Sequence, residues 1–107
     1  MRNGRNGPTR SAVLRKLSTN AERIRGFGVR RLGLFGSVAT GRSGQGSDID
    51  LLIEFRPGME KFSNLMRLHA FLRRLLGGKI DLVTKGGLSP YLAPRILREV
   101  RYVEGLD

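Results

Sequence analysis

Two aspartates two residues apart inside an apolar run constrain this chain more than any other feature. Ser47 to Phe55, with Asp48-Ile49-Asp50-Leu51-Leu52-Ile53-Glu54-Phe55 at its centre, reads as a strand. Side chains alternate along a strand, so Asp48 and Asp50 share one face and Ile49, Leu51, Ile53 and Phe55 share the other. The apolar face can be core. On the acid face, like charges so close repel unless something cationic sits between them, and a divalent metal ion is the obvious candidate. A second apolar run, Val29 to Phe35, precedes it and breaks at Gly36-Ser37; a glycine-rich connection, Gly41 to Gly46, joins the two. Ser37 to Thr40 is expected to form one short helical turn.

The remaining chain supplies what such a sheet needs. Ser11 to about Arg25 reads as a helix with Val13, Leu14, Leu17, Ala21 and Ile24 on its apolar stripe, capped by Thr9 or Ser11 and ended by Gly26-Phe27-Gly28. Glu60 to Leu76 reads as a longer helix, with Phe62, Leu65, Met66, His69, Leu72 and Leu76 recurring at three- and four-residue spacing. Phe62, Met66 and Phe71 are expected in the core, and His69 as a packed residue at its border. Gly77-Gly78 stops that helix. Lys79 to Thr84 is a third strand, with Ile80 and Leu82 on one face and Asp81 and Val83 on the other. A last helix, about Tyr91 to Tyr102, would bury Leu92, Ile96, Leu97, Val100 and Val103, with Pro94 in its first turn, where a missing N–H is harmless. The expected fold is α/β (α+β), a small mixed β-sheet with helices packed against it. At 107 residues there is room for one core. Residues 1–10 read as a flexible basic arm and 11–107 as a single domain.

Charge and composition narrow the function classes. The formal net charge is +11, and residues 1–31 hold nine Lys and Arg against Glu22 alone. Nucleic acid, nucleotide phosphates and an acidic protein partner would all be attracted, the first through the basic N-terminus. The chain has no Cys, which excludes disulfides, zinc–thiolate sites and thiol nucleophiles. No apolar run approaches a membrane span, and the N-terminal residues show no apolar signal segment. A cytoplasmic protein without membrane association is the expectation.

With so few acids, Asp48, Asp50 and Asp81 form the main constellation. Hard divalent ions such as Mg²⁺ take oxygen ligands and often combine few carboxylates with substrate phosphates. A pair of such ions can clamp the attacking and leaving oxygens of an in-line displacement. Asp48 and Asp50 on one strand and Asp81 on its neighbour can supply that two-metal site. Gly36-Ser37 is the second part: a turn without a Cβ lets backbone approach a phosphate, and the following N–H groups can face its oxygens. Arg42 and Ser47 in the connecting loop are further candidates for phosphate contact. Glu54 lies farther along the acid face and is expected to pair with a basic group.

Gly36-Ser37, a short helix, a glycine-rich loop, Ser47-Asp48-Ile49-Asp50-Leu51 and the later Asp81-Leu82-Val83 together resemble the polymerase-β-type nucleotidyltransferase signature. More closely, the chain resembles the minimal nucleotidyltransferase (MNT) domain, from about Leu34 to Glu104 and including Leu88 to Glu99. Members of that family typically act as antitoxins beside a helical HEPN-domain ribonuclease toxin. The resemblance implies a Mg²⁺-dependent enzyme that transfers AMP from ATP to a hydroxyl, a Tyr of a cognate HEPN toxin, in a hetero-oligomer. It implies catalytic and metal-binding roles for Asp48, Asp50 and Asp81, and a hold on the β- and γ-phosphates by Gly36 and Ser37. One departure stands out: Thr40 occupies a position where many such domains carry Arg; if that Arg helps hold nucleotide phosphates, Arg42 or another base must substitute here, or affinity is reduced. Two other functions stay open. One is a non-catalytic antitoxin or regulatory subunit that masks its partner by binding; the other is nucleotidyl transfer to a small molecule or nucleic acid.

Overall fold

The computed structural model describes residues 7–107. The chain runs through helix α1 (Arg10–Thr19), helix α2 (Ala21–Arg25), strand β1 (Val29–Phe35), a single helical turn α3 (Gly36–Ala39), strand β2 (Ile49–Phe55), helix α4 (Phe62–Leu76), strand β3 (Ile80–Thr84), a 3-10 turn (Lys85–Gly87), helix α5 (Ala93–Glu99) and strand β4 (Arg101–Tyr102). The four strands form one mixed sheet in the order β3-β2-β1-β4. β1 is antiparallel to both β2 and β4, and β2 is parallel to β3. Parallel neighbours need a crossover, and α4 is that crossover. The expected mixed sheet flanked by helices is therefore the architecture found.

The period-two reading of β2 holds. Ile49, Leu51, Ile53 and Phe55 are buried in one core with Val13, Leu17, Ile24, Leu68 and Leu72 from α1, α2 and α4. The acid face is not open along its length. Leu52, between Asp50 and Glu54, packs with Phe35 and with Ile96 of α5 in a second, smaller cluster. Helices α1, α2 and α4 thus cover one face of the sheet, and α5 covers the middle of the other.

Four expectations need correction. The first helix breaks at Asn20, whose side-chain Nδ2 donates back to the Lys16 carbonyl at 2.8 Å and whose own N–H reaches Leu17 O at 3.1 Å. Such side-chain bonding competes with helix continuation. In α4 the buried stripe is Asn64, Leu68, Phe71 and Leu72, while Phe62 and Met66 are 76% and 50% exposed. The periodicity was right but the stripe is rotated by about one residue, roughly 100°, because Leu65, Leu68, Leu72 and Leu75 meet the sheet. Asn64 is buried because its side chain donates to Met59 O and accepts from Arg67. The last helix ends at Glu99, and Leu92 and Leu97, expected in the core, are exposed.

Val100 turns extended after α5, and the chain joins the sheet as β4 beside Gly33 and Leu34. Gly33 is required there, since a Cβ would collide with Val100 and Tyr102. The last correction concerns the N-terminal arm. Its residues 1–6 lie outside the described residues, but residues 8–10 are tied down. Thr9 caps α1 through Ala12 N–H, Ser43 Oγ donates to Pro8 O at 2.6 Å, and Arg10 donates to Ala39 O at 2.9 Å.

The C-terminal residues close the core. Leu32 donates to Leu106 O and accepts from Val103 N–H, and both Val103 and Leu106 are buried. Truncating Leu106→Ala removes a filled core position, and its expected cost is about 2–5 kcal/mol. Urea unfolding followed by far-UV circular dichroism measures it.

Candidate active site

The site is assembled by strand register. Phe35, the last residue of β1, pairs with Asp50 near the start of β2, and Asp50 pairs with Asp81 on β3. The turn at Gly36, the Asp50 carboxylate and the Asp81 carboxylate therefore lie side by side at one end of the sheet. Asp48 precedes β2 by one residue and is exposed; Asp81 is also exposed. Asp50 is half-buried, and burial, then Asp81, then Asp48 push its pKa up from the usual 3.8 to about 6. Asp50 thus senses both other acids. Among the described residues no three acidic or histidine side chains are already closed into a metal-chelating set.

Gly36 has φ +77, and a Cβ there would run into the Asp50 carboxylate. The turn is consequently pressed against the central acid, a close approach that only glycine permits. No side chain caps α3. Its first N–H groups lack intrahelical partners, as at any helix start, and suit an anionic oxygen.

Thr40 closes the other end of this turn. Its hydroxyl lies 3.0 Å from Gly36 O and 3.4 Å from Ser37 O, and it accepts from Arg42 Nε at 2.9 Å. Arg42 N–H in turn donates to Ser37 O at 2.8 Å. The residue standing in for an arginine thus tethers the next arginine in the loop, and Arg42 keeps its terminal guanidinium nitrogens for another partner. Ser47 is placed differently from Ser37. Its hydroxyl accepts from Gly44 N–H at 2.8 Å and its N–H donates to Gly44 O at 3.0 Å, so Ser47 closes the loop as a turn residue. Glu54 sits between Arg31 and Lys85 at 3.8 and 3.7 Å, the basic pairing expected of it. His69 joins α4 to β3 through Nε2 and Ile80 O at 3.1 Å, a packing role.

Sequence reasoning missed the buttress behind the loop. Arg10 holds the carbonyl of Ala39, and Pro8 receives Ser43, across 29 and 35 residues of chain. No local pattern encodes such contacts.

The donor chemistry, carboxylate oxygens with mutual repulsion focused on Asp50, is of the kind a hard divalent cation takes, while among the described residues the three carboxylates are not gathered into a group that could hold one. A glycine turn pressed on Asp50 at the end of a mixed sheet, with Asp81 on the next strand, defines the class as an α/β domain with an acidic site at one sheet end. Comparison with known proteins makes this specific. Residues 14–103 match the nucleotidyltransferase domain. The chain is 43% identical over 79 residues to the protein adenylyltransferase MntA of Thermococcus cleftensis, covering 72% of this chain and 77% of that protein. A solved structure described as a minimal nucleotidyltransferase superposes with a TM-score of 0.67 at 36% identity, covering 82% of this chain and 93% of the other. The fold is also shared with a complex of the tri-AMPylated Shewanella oneidensis HEPN toxin and its MNT antitoxin, at a TM-score of 0.61 and 17% identity, over 89% of this chain and 71% of that one. The chain belongs to the nucleotidyltransferase domain family, as an enzyme of the MntA adenylyltransferase type. Among the described residues no helix is long and apolar enough to cross a membrane.

The Asp50 shift has a sign that can be measured. Its folded pKa lies above its unfolded value, so between about 4 and about 6 the folded state holds more protons than the unfolded state. In metal-free buffer, the melting temperature should fall as pH rises through that window. Asp50→Asn should flatten the fall, and added Mg²⁺ should restore most stability at the upper end. Thermal melts at stepped pH, with and without Mg²⁺, check all three.

Proposed function

We propose that the protein transfers AMP from ATP to a tyrosine hydroxyl of a cognate HEPN ribonuclease toxin and thereby acts as its antitoxin. The observation that carries this reading is the register that lines up the Gly36 turn, Asp50 and Asp81 on three adjacent positions. Similarity to MntA supports the adenylyl chemistry, and the fold shared with an MNT antitoxin bound to an AMPylated toxin supports the partner.

The residues divide the work as follows. The N–H groups of the Gly36-Ser37 turn, the Ser37 hydroxyl and the guanidinium of Arg42 hold the β- and γ-phosphates. Asp48 and Asp50 would hold Mg²⁺, with Asp81 completing the ligand set on the acceptor side. Mg²⁺ there would supply charge neutralisation at the phosphates and would lower the pKa of an acceptor hydroxyl. Asp81, which is exposed, would take the proton from that hydroxyl. The acceptor oxygen forms a bond to the α-phosphorus while the bond from that phosphorus to the pyrophosphate oxygen breaks. Transfer of this kind needs positioning and charge stabilisation more than covalent catalysis. The short, exposed site also suits an acceptor carried on another folded chain. Near α5, Tyr91 is 93% exposed and Leu92 and Leu97 lie open to solvent, an apolar surface of the kind that meets protein partners.

That surface equally favours a second reading, in which the protein neutralises its partner by binding alone. One experiment separates the two. The protein is incubated with its partner, ATP and Mg²⁺, and the partner is weighed by intact mass spectrometry. Catalysis adds one or more adenylyl groups; Asp48→Ala and Asp50→Ala should lower the rate by at least about 10²–10³-fold, with loss of antitoxin activity. Neutralisation that survives both substitutions without any mass change supports masking and sinks the catalytic reading. Arg42→Ala should raise the KM for ATP with a smaller change in kcat, and Thr40→Val should shift it the same way, since it frees Arg42.

A further inference from the structure

The cationic surplus of this chain is concentrated on one side of the sheet. Helix α1 carries Arg10, Arg15 and Lys16; α2 carries Arg23 and Arg25; α4 carries Arg67, Arg73 and Arg74. Glu22 is the single acid on these three helices, and Arg25 is its ion-pair partner at 3.7 Å. No other ion pair is made by these helices among the described residues. A solvated helix face ordinarily intersperses both signs, since like charges at helical spacing repel. Here the repulsion is left standing.

The guanidiniums at the centre of the layer are held by uncharged groups. Arg23 lies over the Phe71 ring, 4.7 Å from its centroid, and Arg67 donates to Asn64 Oδ1 at 2.8 Å. Phe71 itself is buried and packed at 5.5 Å against Phe27. Between α1–α2 and α4 runs a shallow cavity of about 260 Å³ with Arg23 and Arg74 on its walls, Asn20 at one end and Phe71 and Leu75 as its floor. Two arginines facing each other across a groove, one of them fixed by stacking, offer several N–H donors to an anion that runs along it.

We propose that the α1–α2–α4 layer binds the sugar–phosphate backbone of nucleic acid, with Arg23, Arg67 and Arg74 as its central contacts. The binding is through phosphates and does not read bases. A protein partner fits this face less well. A protein partner there would have to supply an acid for each unpaired guanidinium, and the exposed apolar residues that suit a protein interface, Tyr91, Leu92 and Leu97, lie at α5, on the other face of the sheet. Arg23, Arg67 and Arg74 lie on helices that cover the sheet face opposite the one carrying Asp50, while Arg10 of α1 reaches the end of the Gly36 turn through Ala39 O. This inference stands apart from the adenylyl-transfer reading: either can fail without the other.

The test is fluorescence anisotropy with a labelled single-stranded RNA, the DNA strand of the same sequence and an RNA duplex, each titrated across salt. Log affinity should fall linearly with log salt, with little dependence on sequence. Arg23→Gln/Arg67→Gln/Arg74→Gln should lower the single-strand slope by about 2, from three lost contacts. The same triple variant should keep its far-UV circular dichroism spectrum and its adenylyl transfer. A charge-matched control, Arg30→Gln/Arg98→Gln/Arg101→Gln, removes as much charge away from the layer and should leave the slope nearly unchanged. RNA binding tighter than DNA assigns the surface to RNA; equal binding assigns it to any phosphate backbone. Absence of salt-dependent binding overturns the proposal, as does equal weakening by the two triple variants, which would mean net charge alone. It is likewise overturned if the Arg23/Arg67/Arg74 variant loses its protein partner while binding nucleic acid normally.

Discussion

Antiparallel pairing of β1 with β2 governs the rest of the structure. It brings the C-terminal end of one strand beside the N-terminal end of the other, so Phe35 meets Asp50. The turn that must follow Phe35 is thereby forced against a carboxylate, and only a residue without a Cβ fits. Parallel addition of β3 then sets Asp81 beside Asp50 on the other flank. A shift of one residue in either pairing would exchange the two faces of a strand, burying acids and exposing core. The same apolar residues that stabilise the sheet therefore fix the geometry of its charged end.

The consequence is a site under electrostatic tension. Burial of Asp50 and the neighbouring Asp81 and Asp48 raise the free energy of its ionised state, and among the described residues no ion pair is made to any of the three. Three basic groups of this region are engaged elsewhere: Arg31 and Lys85 with Glu54, and Arg10 with Ala39 O. A divalent cation among these acids would relieve the repulsion. The strongly positive helical layer beyond the sheet is the opposite imbalance, held apart from the first by the core.

Much of the site was readable because its residues are local and their spacing is strict. Asp50 takes the face opposite Ile49 and Leu51 by strand period alone, although Asp48, expected inside the strand, lies one residue before it, and Gly36-Ser37 followed an apolar strand that needed a turn. The strand position of Asp81 followed from Ile80 and Leu82 as its buried neighbours. The readings that failed were of another kind. Phe62 and Met66 satisfy helical spacing as well as Leu65, Leu68 and Leu72 do, and nothing within α4 says which stripe the sheet will cover. Leu92 and Leu97 look like core in a helix pattern, yet α5 contributes Ile96 and leaves them outside. β4 has two residues and no alternation to betray it; it exists because Leu32 pairs with Val103 and Leu106.

By itself, the sequence determined the elements that carry chemistry: an apolar strand ending at a glycine turn, an acid pair at the start of the next strand, and a third acid on a later strand. Period and turn chemistry are local properties, and they need no partner to be expressed. Only the tertiary structure decided how those parts meet. It chose the register that presses Gly36 on Asp50, tethered Arg42 through Thr40, and turned residues 8–10 from an expected loose arm into a brace for the loop. It also gathered the basic residues of three helices onto one side. Each of these depends on contacts between residues far apart in the chain, whose energies are settled by packing the whole core.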